Sequence, residues 1–203
     1  MGEPTIYLCR HGDTAWSAVR RLAGRTDLPL IAAGEDNARL LGKRLAPVAF
    51  ERVLVSPLVR ARRTAELAGL AAHATIDERL LEMDFGAYDG RTLDDIRQDR
   101  PGWTYLRDGC PGGEGPDDVG RRVDSLIEEL RSRHPTGATI ALVAHSVVLR
   151  VLTARFLGLP PGGGRLLMMA PASLSILGYD AVDDSRAIAA WNDRSHLVVG
   201  GAA

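Results

Sequence analysis

Three short β-rich runs, Thr5-Ile6-Tyr7-Leu8-Cys9, Arg52-Val53-Leu54-Val55 and Thr139-Ile140-Ala141-Leu142-Val143-Ala144, carry apolar residues at consecutive rather than alternate positions. A strand with one face in water alternates, whereas a strand covered on both faces does not. The runs therefore predict a central, mostly parallel sheet sandwiched between helices. Helical patterns fall where that arrangement needs them. Over residues 35–45, Ala38, Leu41 and Leu45 recur at spacings of three and four; over 117–133, Val119, Val123, Leu126, Ile127 and Leu130 form one stripe. Ser56-Pro57 ahead of residues 58–69 reads as a helix start, with Ser56 as N-cap, Pro57 in the first turn and Gly69 as the stop. Another helix is expected after Val147, ending before Gly158-Leu159-Pro160-Pro161. Two later strands, around 173–178 and 187–191, complete the sheet. The fold class is a three-layer α/β/α sandwich.

The middle of the chain is less periodic. Residues 86–115 hold one short helical pattern at 92–98 and the Pro/Gly-rich stretch Gly109-Cys110-Pro111-Gly112-Gly113. This segment is expected to be an insertion over one end of the sheet, a candidate lid within a single domain spanning 1–203.

Charge removes several function classes. Lys and Arg number 25 against 26 Asp and Glu, a formal charge of -1. The usual electrostatic argument for nucleic acid or a membrane surface is therefore missing. Cys9 and Cys110 form no CxxC pair, so neither a disulfide framework nor a thiolate zinc site is expected. The N-terminus lacks a signal-peptide pattern, and no apolar run reaches the roughly 18 residues of a membrane span. A cytoplasmic location is expected.

Each predicted strand leads directly into reactive or cationic residues. The first is followed by Arg10-His11-Gly12, the second by Ser56-Pro57 and, a helical turn on, Arg60, the third by His145-Ser146. Ligands of open α/β sheets bind just beyond the carboxyl ends of the strands. Two Arg and two His in one crevice need an anion, and a phosphoryl group, matched by the planar fork of Arg, is the natural one. His73, His134 and His196 have no partners in sequence and are expected at the surface. Asp180, Asp183 and Asp184 lack the spacing of a calcium loop, and no P-loop is present.

These residues also carry a family resemblance. Cys9-Arg10-His11-Gly12-Asp13-Thr14-Ala15-Trp16-Ser17 resembles the opening signature of the histidine phosphatase superfamily, the phosphoglycerate-mutase-like fold. Gly24-Arg25-Thr26-Asp27-Leu28-Pro29-Leu30 with Gly34, the block Ser56 to Ala65, Leu80-Leu81-Glu82-Met83-Asp84-Phe85-Gly86 with Asp89-Gly90, and Leu142-Val143-Ala144-His145-Ser146 follow in the family's order. The resemblance implies His11 as a nucleophile that becomes phosphohistidine, and Glu82 as proton donor to the leaving group. It implies Arg10, Arg60 and His145 as the groups that hold the phosphoryl oxygens. Many members have Asn at Ser17 and Gly at Ser146; both serines are expected to line the phosphate site.

The implied activity is a metal-independent phosphomonoesterase, needing no cofactor, that hydrolyses a small, sugar-like phosphorylated metabolite. Two rival readings stand beside it, a phosphoglycerate mutase and a non-catalytic phosphate-binding protein on the same fold. A small phosphorylated substrate is the expected partner, with neither nucleic acid nor membrane; the oligomeric state, a homodimer included, stays open.

Overall fold

The computed structural model describes residues 4–133 and 137–197. The three apolar runs form β1 (Thr5–Arg10), β2 (Arg52–Val55) and β4 (Thr139–Ala144), joined by a short β3 (Ala74–Ile76) and by β5 (Leu174–Tyr179) and β6 (Arg186–Asp193). Their order in the sheet is β3-β2-β4-β1-β5-β6. The first four of these run parallel, and β5 and β6 add on antiparallel.

The unbroken apolar runs do bury both faces. Ile6, Leu8, Leu54, Ile140 and Leu142 point into one core cluster, while Cys9, Val53, Val55, Ala141 and Val143 point into a second. Alternate residues of one strand thus serve opposite cores, as the two-residue pleat requires. The first core is closed by α6 (Pro116–Arg133) and α7 (Ser146–Phe156), the second by α2 (Ala32–Leu45) and α3 (Val59–Leu67). On α2 the buried face is Gly34, Ala38, Leu41 and Leu45, and on α6 the Val119-to-Leu130 stripe is buried. Shorter helices are α1 (Ala15–Ala18), α4 (Leu93–Asp99), capped by Thr92, and α5 (Tyr105–Asp108).

The start of α3 differs from the sequence expectation. Neither Ser56 nor Pro57 lies in the helix: Leu58 is the N-cap residue and makes no side-chain cap, while Asp27 Oδ1 accepts the Val59 N–H at 2.7 Å. Ser56 is fully buried at the end of β2, where its hydroxyl faces a neighbouring strand. The end of α3 keeps to the expectation, since Gly69 turns the chain at φ +75° and lets the Leu70 N–H reach Ala65 O. Helix α7 begins at Ser146, two residues earlier than expected, with His145 as its N-cap.

Within 86–115, Ile96, Trp103 and Leu106 are buried in the same cluster as β1 and β4. The 109–115 stretch is tied to the chain beneath it: Trp103 Nε1 donates to Gly109 O, the Glu114 N–H to Asp84 O and the Ala87 N–H to Pro111 O. Cys9 and Cys110 are free thiols. His73 is exposed, but His196 is half-buried and its Nε2 donates to Ala172 O at 2.9 Å; His134 lies outside the described residues. Among the described residues no helix is long and apolar enough to cross a membrane.

Candidate active site

Strand order brings the reactive residues together. In the sequence β2-β4-β1, the parallel register pairs Arg10 with Ala144 and Val55 with Val143. The next residue on each strand leaves the sheet at the same end, so Ser56, His145 and His11 stand side by side. The His11 and His145 rings lie 5.1 Å apart, centroid to centroid. Both rings are buried.

The hydrogen bonds fix both tautomers. His11 Nδ1 lies 2.7 Å from its neighbour's carbonyl, Gly12 O, so Nδ1 carries the hydrogen and Nε2 keeps its lone pair. Gly12 itself is held by Thr64 Oγ1, which accepts its N–H at 3.1 Å and donates to Arg60 O. No side chain fits at position 12, because a Cβ there would lie 2.3 Å from Gly34 O. For His145, the Arg60 Nε–H donates to Nδ1 at 3.1 Å, so the hydrogen is on Nε2 and is donated to Ser56 Oγ at 2.7 Å. Burial pushes both imidazoles well below their usual value, and the charges of Arg10 and Arg60 push them further. The site therefore holds two neutral imidazoles beside two guanidinium groups.

Those two arginines do different work. Arg10 donates through Nη1 to Met169 O, and its buried Nε has no partner. Burial lowers its pKa to about 10, still far above neutrality. A buried cation with an unused donor is the part of this site that most needs an anion. Arg60 is fully buried and committed elsewhere: Nη1 donates to Thr26 O, and Nη2 to Ala23 O and Gly24 O. Its guanidinium thus holds the 23–26 loop and His145 together. Asp89 completes the clamp by accepting the Gly24 and Thr26 N–H groups and the Thr26 hydroxyl.

Glu82 sits at the start of α7. Its carboxylate accepts three backbone N–H bonds, from Met83 at 2.9 Å and from Val147 and Val148 at 3.0 Å. Its protein partners among the described residues are all donors.

A cavity of about 390 Å³ opens here, lined by Arg10, His11, Glu82, Ser17 and Ser146. Arg60 and His145 lie behind its wall rather than on it. Ser17 is present, but its hydroxyl is engaged with Thr14, accepting the Thr14 N–H and donating to Thr14 O. Ser146 Oγ has no hydrogen bond among the described residues. Sequence reasoning did not reach Arg20, Arg21, Tyr105 and Arg150, which also line the cavity. Arg150 Nη1 donates to the Tyr105 hydroxyl and its Nε to Gly164 O. Among the described residues no three His, Cys, Asp or Glu side chains cluster as a metal site would.

A sheet whose strand ends gather two neutral imidazoles, an underused buried arginine and a carboxyl group around one cavity defines a phosphoryl-transfer protein. The chain belongs to the histidine phosphatase superfamily (branch 1), whose family model matches residues 6–194. It is 35% identical over 182 residues to the probable phosphoglycerate mutase GpmB of Salmonella choleraesuis (strain SC-B67), covering 86% of this chain and 84% of that one. Its fold is similar to that of the Rv3214 open reading frame product of Mycobacterium tuberculosis, with TM-score 0.86 and 33% identity over 93% of this chain and 96% of that one. It is also similar to mycobacterial glucosyl-3-phosphoglycerate phosphatase Rv2419c, solved with VO3, with TM-score 0.82 and 29% identity over 93% and 98% of the two chains. A phosphatase enzyme on a phosphoglycerate-mutase-like fold is the activity class these matches support.

Proposed function

We propose that the protein is a metal-independent phosphomonoesterase that works through a phosphohistidine at His11. The observation that carries this reading is the His11 tautomer: with Nδ1 donating to Gly12 O, the Nε2 lone pair is left for the phosphorus of a bound monoester. Nε2 attacks phosphorus, the bond to the leaving oxygen breaks, and Glu82 gives that oxygen its proton. Water then attacks phosphorus, the P–N bond breaks, Glu82 takes a proton back and His11 returns to its neutral form. Arg10 supplies fixed positive charge to the dispersed charge of a loose transition state, while Arg60 and His145 hold the surrounding frame.

Of the expected phosphate ligands, Arg10 and Ser146 have donors to spare, and Ser17 lines the site through a hydroxyl already bonded to Thr14. A sugar-like body needs polar partners for its hydroxyls, and besides Ser146 and the Tyr105 hydroxyl the cavity wall carries Glu82 and the guanidinium groups of Arg20, Arg21 and Arg150. The printed name of the Salmonella relative favours a second reading, a phosphoglycerate mutase, which starts from the same phosphohistidine.

The test is direct. Wild-type protein given p-nitrophenyl phosphate should form a phosphoenzyme stable to base and labile to acid. His11→Ala should abolish it and cut turnover by several orders of magnitude. Excess chelator should leave turnover unchanged. Full activity in His11→Ala would overturn the mechanism, and chelator sensitivity would overturn its metal independence.

A further inference from the structure

Residues 168–173 form a strap beside the end of β1, and Met168, Met169 and Pro171 on it line the cavity. The Met169 carbonyl accepts from Arg10 Nη1, the one hydrogen bond that side chain makes among the described residues. The Ala172 N–H donates to His11 O at 3.0 Å, and Ser173 O accepts the Arg10 N–H at 3.2 Å. The strap therefore sets where the Arg10 guanidinium points.

Residues 167–170 belong to no helix or strand, so the strap needs anchors from outside. They come from the end of β6. In the β5–β6 ladder Leu174 pairs with Asp193 and Ile176 with Ala190, so Trp191 and Asn192 stand opposite the single residue Ser175. This is a β-bulge, a device that re-aims side chains. Asn192 takes φ +52°, a left-handed conformation that Gly, Asn and Asp adopt more readily than other residues. Its N–H donates to the buried Ser175 Oγ at 2.9 Å. So placed, Asn192 Oδ1 accepts the Ala170 N–H at 2.7 Å, and Trp191 Nε1 donates to Met168 O at 2.6 Å. The two bonds grip the residues on either side of Met169. The Trp191 bond is exposed and open to replacement by water, whereas the Asn192 bond is partly buried.

Resting on the phosphomonoesterase reading above, we infer that Asn192 is a positioning residue for the reaction: through Ala170 it holds the Met169 carbonyl that aims the Arg10 guanidinium at the phosphoryl group. Asn192 itself touches no reacting atom. The role calls for an acceptor oxygen on a residue that tolerates the left-handed conformation. If Met169 O is displaced, Arg10 keeps its charge but loses its direction, and stabilisation by fixed charge depends on direction.

Two substitutions separate the acceptor from the backbone. Asn192→Gly suits φ +52° and removes only the amide, while Asn192→Asp keeps an acceptor oxygen and also tolerates this conformation. Asn192→Gly should lower kcat/KM on p-nitrophenyl phosphate about ten- to a hundredfold, the loss that follows from misplacing a group by about 1 Å. Calorimetric binding of inorganic phosphate should weaken about tenfold in the same variant, and Asn192→Asp should stay within about threefold of wild type on both measures. In an Arg10→Gln background, Asn192→Gly should cost less than about threefold more, because the group it positions is already gone. Wild-type behaviour of Asn192→Gly, equal losses in the glycine and aspartate variants, or a full-sized further loss in the Arg10→Gln background would each overturn the inference. Those outcomes spare the phosphatase reading, because the wild-type protein still cleaves p-nitrophenyl phosphate. If the wild-type protein does not cleave it, that reading fails, and phosphate binding across the same variants still decides whether Asn192 acts through Arg10.

Discussion

Arg60 Nε and His145 Nδ1 lie 3.1 Å apart in a fully buried site. Since a guanidinium can only donate, the contact requires the imidazole to be neutral, and protonation of His145 would set two cations face to face. His11 is neutral for related reasons, burial first and the two arginine charges second.

This makes stability fall with acid in a definite window. The unfolded histidines take up protons near 6.5, while the folded ones resist until well below that value. Between those limits the unfolded chain binds more protons, so stability rises with pH; it is lost as pH falls below about 6.5. Each ring contributes a slope of about 1.4 kcal/mol per pH unit, with no further gain above about pH 7.5. Urea unfolding at pH 7.5, 6.5 and 5.5 measures it. His145→Asn, whose amide can both accept from Arg60 and donate to Ser56, should lose the share of the slope that His145 contributes. Identical slopes in the two proteins would mean that His145 titrates as an ordinary surface histidine.

Arg60→Lys should be a poor substitute although it keeps the charge. One ammonium cannot meet His145 Nδ1 and the Ala23, Gly24 and Thr26 carbonyls together, as the guanidinium does. Carbonyls left without donors in a buried setting predict a loss of about 2–4 kcal/mol, or roughly 5–15 °C in Tm for a chain of this size. Turnover should fall as well, because the 23–26 loop and His145 lose their common anchor. Thermal unfolding and a phosphate-release assay on the same preparation read both effects; a variant within about 0.5 kcal/mol of wild type would show that the clamp contributes little.

What the sequence made legible follows the range of the interactions involved. β1, β2 and β4 could be read because burial on both faces writes itself into consecutive apolar residues, and His11 and His145 followed as the residues after those runs. Ser56 was misread for a physical reason. Ser-Pro ahead of a helical pattern is a local capping signal, but its hydroxyl partner, His145, is 89 residues away, just past the end of a neighbouring strand. The clamp around Arg60 was hidden for the same reason, since carbonyl partners carry no side-chain identity. Tyr105 lies on a four-residue helix, too short for periodicity to show, and it meets Arg150 across 45 residues.

Glu82→Gln separates proton donation from scaffolding. Oε1 of Glu82 accepts from both Met83 and Val148 and Oε2 from Val147, so an amide must turn its NH₂ toward at least one N–H donor. That donor conflict should cost about 1–3 kcal/mol of stability whatever Glu82 does in the reaction. The chemical role appears in the substrate dependence. General acid catalysis contributes about 10²–10⁴-fold and matters most when the leaving alkoxide is basic. Turnover of an alkyl phosphate should therefore drop far more than that of p-nitrophenyl phosphate, whose leaving group needs no proton. Equal losses on the two substrates would make Glu82 a scaffold for the start of α7 and leave the donor to be sought elsewhere, with Asp13 and Asp84 next in line.

The last prediction decides between hydrolase and mutase. Both begin with the same phosphohistidine, and they part on whether water or a retained product hydroxyl reaches phosphorus first. A mutase has to cover the intermediate while its product turns over in the site. The segment placed to do so here is bound down: Ile96, Trp103 and Leu106 are buried, and the 109–115 stretch is hydrogen-bonded to Asp84, Ala87 and Trp103. Met168, at the edge of the cavity, is 77% exposed. Water should therefore win. Incubation with 3-phosphoglycerate should release inorganic phosphate without producing 2-phosphoglycerate, and 2,3-bisphosphoglycerate should not stimulate the reaction. Following both products over one time course checks it. If the isomer appears faster than phosphate and the bisphosphate stimulates its formation, the protein is a mutase, and the bound-down segment must open and close in solution.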